Sequence, residues 1–188
     1  MKKIILASNS PRRKELMEML GYDFEVVVSH VEEVIDDKLS FCDMVKSLAL
    51  QKGQAVYETH PNCLVIGADT VVVVDDKILG KPHNQKQAQQ MIEMLSNRSH
   101  IVMTAVAFIS KEEQYVICDT SRVKFNEIPA DKIEQYVLSD EPYDKAGGYA
   151  IQGWAGKYIR EIEGNFYTII GLPIDIVEDY LQSYLKKY

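Results

Sequence analysis

The run Leu64-Val65-Ile66-Gly67-Ala68-Asp69-Thr70-Val71-Val72-Val73-Val74 most constrains what this chain can fold into. β-Branched residues dominate it, and they suit a pleated strand. It predicts a strand over 64–74. One acid, Asp69, interrupts it. A carboxylate is depleted in strands and costly to bury unless it is paired or binds metal. Two readings follow: a bend at Asp69-Thr70, or an acid kept there for chemistry.

The rest of the pattern mixes strands and helices. Strands are predicted over 3–7, 24–28, 101–109 and 114–125, with a short one before Gly80 after an Asp75-Asp76 turn. Further strand candidates lie at 149–151, 158–162 and 166–170. Helices are predicted over 11–20, closed by Gly21, and over 85–95 and 129–137. Another runs from the N-cap Ser40 to about residue 57, and a last one begins at Pro173. There is no strict strand–helix alternation, so a mixed α/β sheet is expected rather than a Rossmann or barrel fold. No repeat, low-complexity tract or linker divides the chain, and a single domain over 1–188 is expected.

Composition narrows the function classes. The formal net charge of −7 argues against a nucleic-acid binder, because phosphate contacts need a basic surface. No apolar run approaches the roughly 20 residues of a membrane span. The apolar stretch after the opening lysines ends at Ala7, too soon for a signal peptide. Cys42, Cys63 and Cys118 are odd in number and widely spaced, which argues against disulfides and structural zinc. A cytoplasmic protein with no membrane partner is expected.

Within this acidic chain, Ser8-Asn9-Ser10-Pro11-Arg12-Arg13-Lys14-Glu15 stands out. Ser10 is a natural N-cap and Pro11 a natural first helical residue. Arg12, Arg13 and Lys14 then oppose the helix dipole. An anion seated on the free N–H groups would reverse that conflict. Arg12 and Arg13 would add bidentate donors, and Ser8 and Ser10 hydroxyls. A phosphate site is therefore favoured over a solvated basic turn.

Phosphate chemistry commonly uses Mg²⁺, which takes one or two carboxylates plus substrate oxygens. Asp69 is the first candidate, and Glu32 or Glu33 the second. Lys52 falls on the apolar stripe of its helix and either snorkels to the edge, the commoner case, or points into a cleft. Gly80-Lys81-Pro82 is a turn that could clamp a phosphate. Residues 144–153 are glycine-rich without a Walker spacing. Within them Gln152 offers a donor and an acceptor suited to the edge of uracil or thymine. Trp154 reads as a base-stacking surface or a partly buried core residue, with the core favoured. No HExxH or GxSxG occurs, which weakens metalloprotease and acyl-transfer readings.

The ordered set Leu6-Ala7-Ser8-x-Ser10-Pro11-Arg12-Arg13-x-Glu15-Leu16, Gly67-Ala68-Asp69-Thr70-Val71, Gly80-Lys81-Pro82, Asp144-Lys145-Ala146-Gly147, Tyr149-x-Ile151-Gln152-Gly153 and Gly171-Leu172-Pro173 resembles the signature of the Maf family of nucleotide pyrophosphatases. The resemblance implies an elongated α/β fold, a mixed sheet flanked by helices, with two lobes around a central cleft, related to inosine triphosphate pyrophosphatases. It implies hydrolysis of a nucleoside triphosphate to monophosphate and pyrophosphate with a divalent cation, Mg²⁺ or Mn²⁺. Asp69 matches the proton acceptor. Arg12, Thr70 and Gln152 match positions marking the branch that acts on dTTP and UTP. Gly148, Ala150 and Asn97 depart from the family pattern. So does Val31, which bears on metal ligation by Glu32 or Glu33.

The resulting expectation assigns catalysis to Asp69 and the metal to Asp69 and Glu33. Substrate binding falls to Ser8, Ser10, Arg12, Arg13, Lys52, Thr70, Lys81 and Gln152. A homodimer is the expected assembly. Two rivals stand beside it: action on 7-methyl-GTP, and a non-enzymatic regulator of cell division, since the family is associated with septum formation.

Overall fold

A computed structural model describes residues 3–187, so the ends of the expected 1–188 domain lie outside it. The central sheet has seven strands: β1 (Ile4–Ala7), β2 (Phe24–Val26), β3 (Leu64–Val74), β4 (Lys77–Leu79), β5 (Ser99–Ile109), β6 (Gln114–Phe125) and β7 (Ile159–Glu163). Their order is β2-β1-β3-β5-β6-β7, with β4 on β3. β1 pairs in parallel with both β2 and β3, whereas β4 and β7 pair antiparallel with β3 and β6. The sheet is mixed, as expected.

The helices are α1 (Pro11–Met19), α2 (Phe41–Tyr57), α3 (Gln85–Leu95), α4 (Ala130–Tyr136), α5 (Phe166–Ile170) and α6 (Ile174–Lys187). The described residues fall into two compact units. One takes residues up to 69, 104–119 and those from 171 on; the other takes 70–103 and 120–170.

In the first unit β1 is fully buried, as a strand with partners on both sides should be. Ile5, Ala7 and Val65 pack with Val56 of α2. That helix begins where Ser40 accepts the Asp43 N–H, so the predicted cap is the observed one. The sheet and α2 meet through two glycines. A Cβ on Gly67 would lie 2.4 Å from the Ala49 carbonyl oxygen and 2.7 Å from the Gly53 nitrogen. Glycine at 67 is what allows helix and strand backbones to come this close, whereas a Cβ on Gly53 would make ordinary contact with Gly67 at 3.5 Å. At the far end of the unit, Tyr180 of α6 stacks on Phe108 at 3.8 Å. Tyr180 and Tyr184 donate to Glu113 and Glu112 of the β5–β6 turn.

In the second unit β3 and β4 form a hairpin around Asp75 and Asp76. Both hold positive φ (48° and 55°), as a two-residue turn with twist-matched strands requires. α3 packs on α4 and on the turn at Ala146–Gly148. Tyr136 of α4 stacks on Trp154 at 4.2 Å, and Trp154 is half-buried, in keeping with a partly buried core residue.

Two predicted strands are absent. Residues 149–151 lie in irregular chain and a turn. Residues 166–170 are helical: the Asn165 side chain accepts the Tyr167 N–H, and Thr168, Ile169 and Ile170 are buried. A short apolar run fits a buried strand and a buried helical turn equally, and the Asn165 bond favours the helix.

Candidate active site

The first unit brings most of the expected site residues together. α1 starts as predicted. Ser10 accepts the Arg13 N–H at 3.4 Å, Pro11 opens the helix, and no acidic residue lies in its first turn. Ser8 is buried, and its Oγ accepts the Ser10 N–H at 3.2 Å. The two serines thus order the turn into which the helix N–H groups open.

The three cations of this turn separate. Lys14 pairs with Glu18 at 3.6 Å on the exposed side, the solvated outcome. Arg13 turns inward. Its Nε donates to the Gly171 carbonyl and its Nη1 to the Ala68 carbonyl, both at 2.8 Å, and Nη1 also reaches Ser8 Oγ at 3.4 Å. Arg13 therefore joins the start of α1, the middle of β3 and the approach to α6. Burial pushes its pKa down, with Arg12 adding to that and Asp69 and Glu33 opposing it. An arginine stays charged nonetheless. Arg12 is half-buried beside it.

Asp69 follows Ala68, so the Arg13 bond that fixes the Ala68 carbonyl also fixes the acid. Its side chain is 13% exposed and bonds Lys52. The same ammonium lies 3.1 Å from Glu33 Oε1. Lys52 thus points inward, and two carboxylates converge on one positive centre. The Gly53–Gly67 contact explains the reach, because it draws α2 onto β3 next to Lys52 and Asp69. Isolated glycines inside a helix and a strand were the signal for this contact.

Asp69 and Glu33 offer carboxylate oxygens, the donor type a hard divalent cation takes, and both lie at the Lys52 ammonium. Among the described residues no group of three or more His, Cys, Asp or Glu could hold a metal. Glu32 and Glu33 are both exposed, and the Lys52 pairing distinguishes Glu33.

Thr70, Lys81 and Gln152 belong to the second unit. Lys81 is exposed between Gly80, whose carbonyl accepts the Gly147 N–H at 3.0 Å, and buried Pro82. Gln152 is exposed on a turn closed by the Gly153 N–H to the Ala150 carbonyl at 3.1 Å. Glu141 accepts the Trp154 N–H at 3.0 Å and would collide with any Cβ at Gly153. Glu141 was not foreseen; nothing in its sequence neighbourhood marks it.

The family of Maf-like proteins matches residues 3–184. The chain belongs to the Maf family. A relative from Bacillus mycoides (strain KBAB4), named dTTP/UTP pyrophosphatase, is 50% identical over 93% of this chain and 91% of its own length. A dTTP/UTP pyrophosphatase from Bacillus cereus (strain G9842) is 49% identical over the same shares. Among solved structures, the Staphylococcus aureus Ham1 protein matches 97% of this chain and all of its own, with a TM-score of 0.55 at 14% identity. That likeness concerns the fold alone. Among the described residues of this Maf protein, no helix is long and apolar enough to cross a membrane.

Proposed function

We propose that this Maf protein hydrolyses dTTP and UTP to the nucleoside monophosphate and pyrophosphate. Relatives at about half identity over nine-tenths of the chain carry that name. The observation that carries the chemistry is Arg13, which ties the anion-accepting start of α1 to the strand residue preceding Asp69.

The polyphosphate lies on the N–H groups at the start of α1, with Ser8, Ser10 and Arg12 as donors. Arg13 holds that turn in place and adds its charge. Lys52 balances Asp69 and Glu33 and supplies a further cation near the phosphates. Asp69 takes a proton from a water whose oxygen bonds the α-phosphorus. The bond from that phosphorus to the bridging oxygen breaks, and pyrophosphate leaves with the electron pair. When bound by Asp69 and Glu33, Mg²⁺ or Mn²⁺ supplies charge neutralisation at phosphate oxygens. Most of the rate gain comes from placed positive charge and positioning. Lys81 adds charge, and Thr70 and Gln152 select the base, Gln152 by hydrogen bonds to a pyrimidine edge. The setting is the cytoplasm, the substrate a free nucleotide rather than DNA or RNA, and the assembly a homodimer.

The test is pyrophosphate release from dTTP, UTP and 7-methyl-GTP with Mg²⁺ or Mn²⁺. Higher kcat/KM for the two pyrimidine nucleotides, lost in Asp69→Asn, supports the proposal. A preference for 7-methyl-GTP moves the chain to the other branch. Absence of turnover on all three favours the regulatory reading.

A further inference from the structure

Gln51 stands on α2 immediately before Lys52. Its amide meets the Val34 peptide at two points: Oε1 accepts the Val34 N–H at 2.8 Å, and Nε2 donates to the Val34 carbonyl at 2.9 Å. Nε2 also donates to Ser47 Oγ at 3.1 Å, one turn back on the same helix, which sets the rotation of the amide. Val34 follows Glu33, the carboxylate that reaches Lys52.

At its start the segment carrying Glu33 is held by Val27, whose N–H donates to the Leu6 carbonyl at 3.1 Å and whose side chain packs against Ile5, Ala7, Val56 and Val65. Residues 27–36 contain no helix or strand. Val34 and Ile35 are 70% and 58% exposed, so apolar burial does not anchor them. The Gln51 amide reproduces the two-bond pairing of a neighbouring strand and joins this segment to the helix that carries Lys52.

We infer that Gln51 is a positioning residue for Glu33, whose amide clamp on the Val34 peptide holds that carboxylate at the cation site. Divalent-cation affinity then depends on a side chain that touches neither cation nor nucleotide. The inference rests on the proposed reading of Glu33 as a metal ligand. Groups that orient ligands commonly change metal affinity 10–100-fold when removed.

The experiment uses Gln51→Met, which keeps length and helix propensity but loses the two bonds to Val34 and the one to Ser47, together with Glu33→Gln and the double variant. Mn²⁺ is titrated by electron paramagnetic resonance on the full chain with α,β-methylene dTTP present. Tryptic cleavage after Lys38 reports on the segment separately. Gln51→Met should weaken Mn²⁺ binding about tenfold, accelerate cleavage, and add nothing in the Glu33→Gln background. Faster cleavage with unchanged Mn²⁺ affinity would make the clamp merely structural and overturn the inference. Independent, additive losses in the double variant would also overturn it, because Gln51 would then act other than through Glu33. Unchanged affinity in Glu33→Gln would remove Glu33 as a ligand, and the inference with it; a loss there without one in Gln51→Met sinks the clamp alone.

Discussion

The proposed function gives Asp69 of β3 and Arg13 of α1 different tasks. Asp69 is the proposed proton acceptor, so Asp69→Asn should lower kcat by about 10²-fold or more while the fold persists. Steady-state rates with dTTP, beside a circular dichroism spectrum, check both halves. The two arginines should separate in the opposite sense to their adjacency. Arg13 satisfies the Ala68 and Gly171 carbonyls. Arg13→Ala leaves both without that charged donor and should cost about 2–3 kcal/mol of stability. Arg12→Ala should lower kcat/KM with little change in melting temperature. Thermal scans and kinetics on the two variants decide it, and equal melting losses would contradict the division. The basic turn was legible in sequence because cap, proline and dipole are local rules. The inward turn of Arg13 was not, since its partners lie 55 and 158 positions away.

At the level of elements, the contact of α2 with β3 brings Lys52 to Asp69. A methyl at Gly67 would press on backbone atoms of Ala49 and Gly53, which cannot step aside. Gly67→Ala should therefore cost about 3 kcal/mol, the upper range of overpacking, and lower the melting temperature by roughly 6–12 °C. Gly53→Ala meets the flexible end of Ile109 at 2.7 Å and should cost about 1 kcal/mol. Differential scanning calorimetry on both checks the order; Gly53→Ala as the worse variant would contradict it. Long elements were readable because their caps and periodicity agree. Ser40 starts α2, Asp75-Asp76 turns β3 into β4, and 114–125 is β6 as predicted. The 166–170 segment was misread because a five-residue run, Phe-Tyr-Thr-Ile-Ile, is too short to carry a period. The Gln51–Val34 clamp could not be read at all, since an amide on a helix surface looks the same whether or not a loop lies against it.

Across the whole molecule, folding stability should answer to pH through a residue outside the candidate site. His100 is buried, shares a 2.6 Å hydrogen bond with the Tyr149 hydroxyl, and packs edge-on to Phe125. Its Nδ1 has no hydrogen-bond partner among the described residues. Burial lowers its pKa from 6.5 to about 4. Above pH 6.5 it is neutral folded or unfolded. Between 6.5 and 4 the unfolded chain takes up a proton that the folded chain refuses, so stability falls as pH falls through that window. The loss amounts to about 3 kcal/mol. Urea unfolding of His100→Gln between pH 7 and 4 should show a shallower acid limb than the unaltered chain. In the proposed reaction, water attacks the α-phosphorus of a polyphosphate seated at the start of α1. Hydrolysis of dTTP in ¹⁸O-labelled water, with mass analysis of both products, tests it most directly. The label should appear in thymidine monophosphate and not in pyrophosphate. Label in the pyrophosphate, or release of single phosphates, would contradict the account.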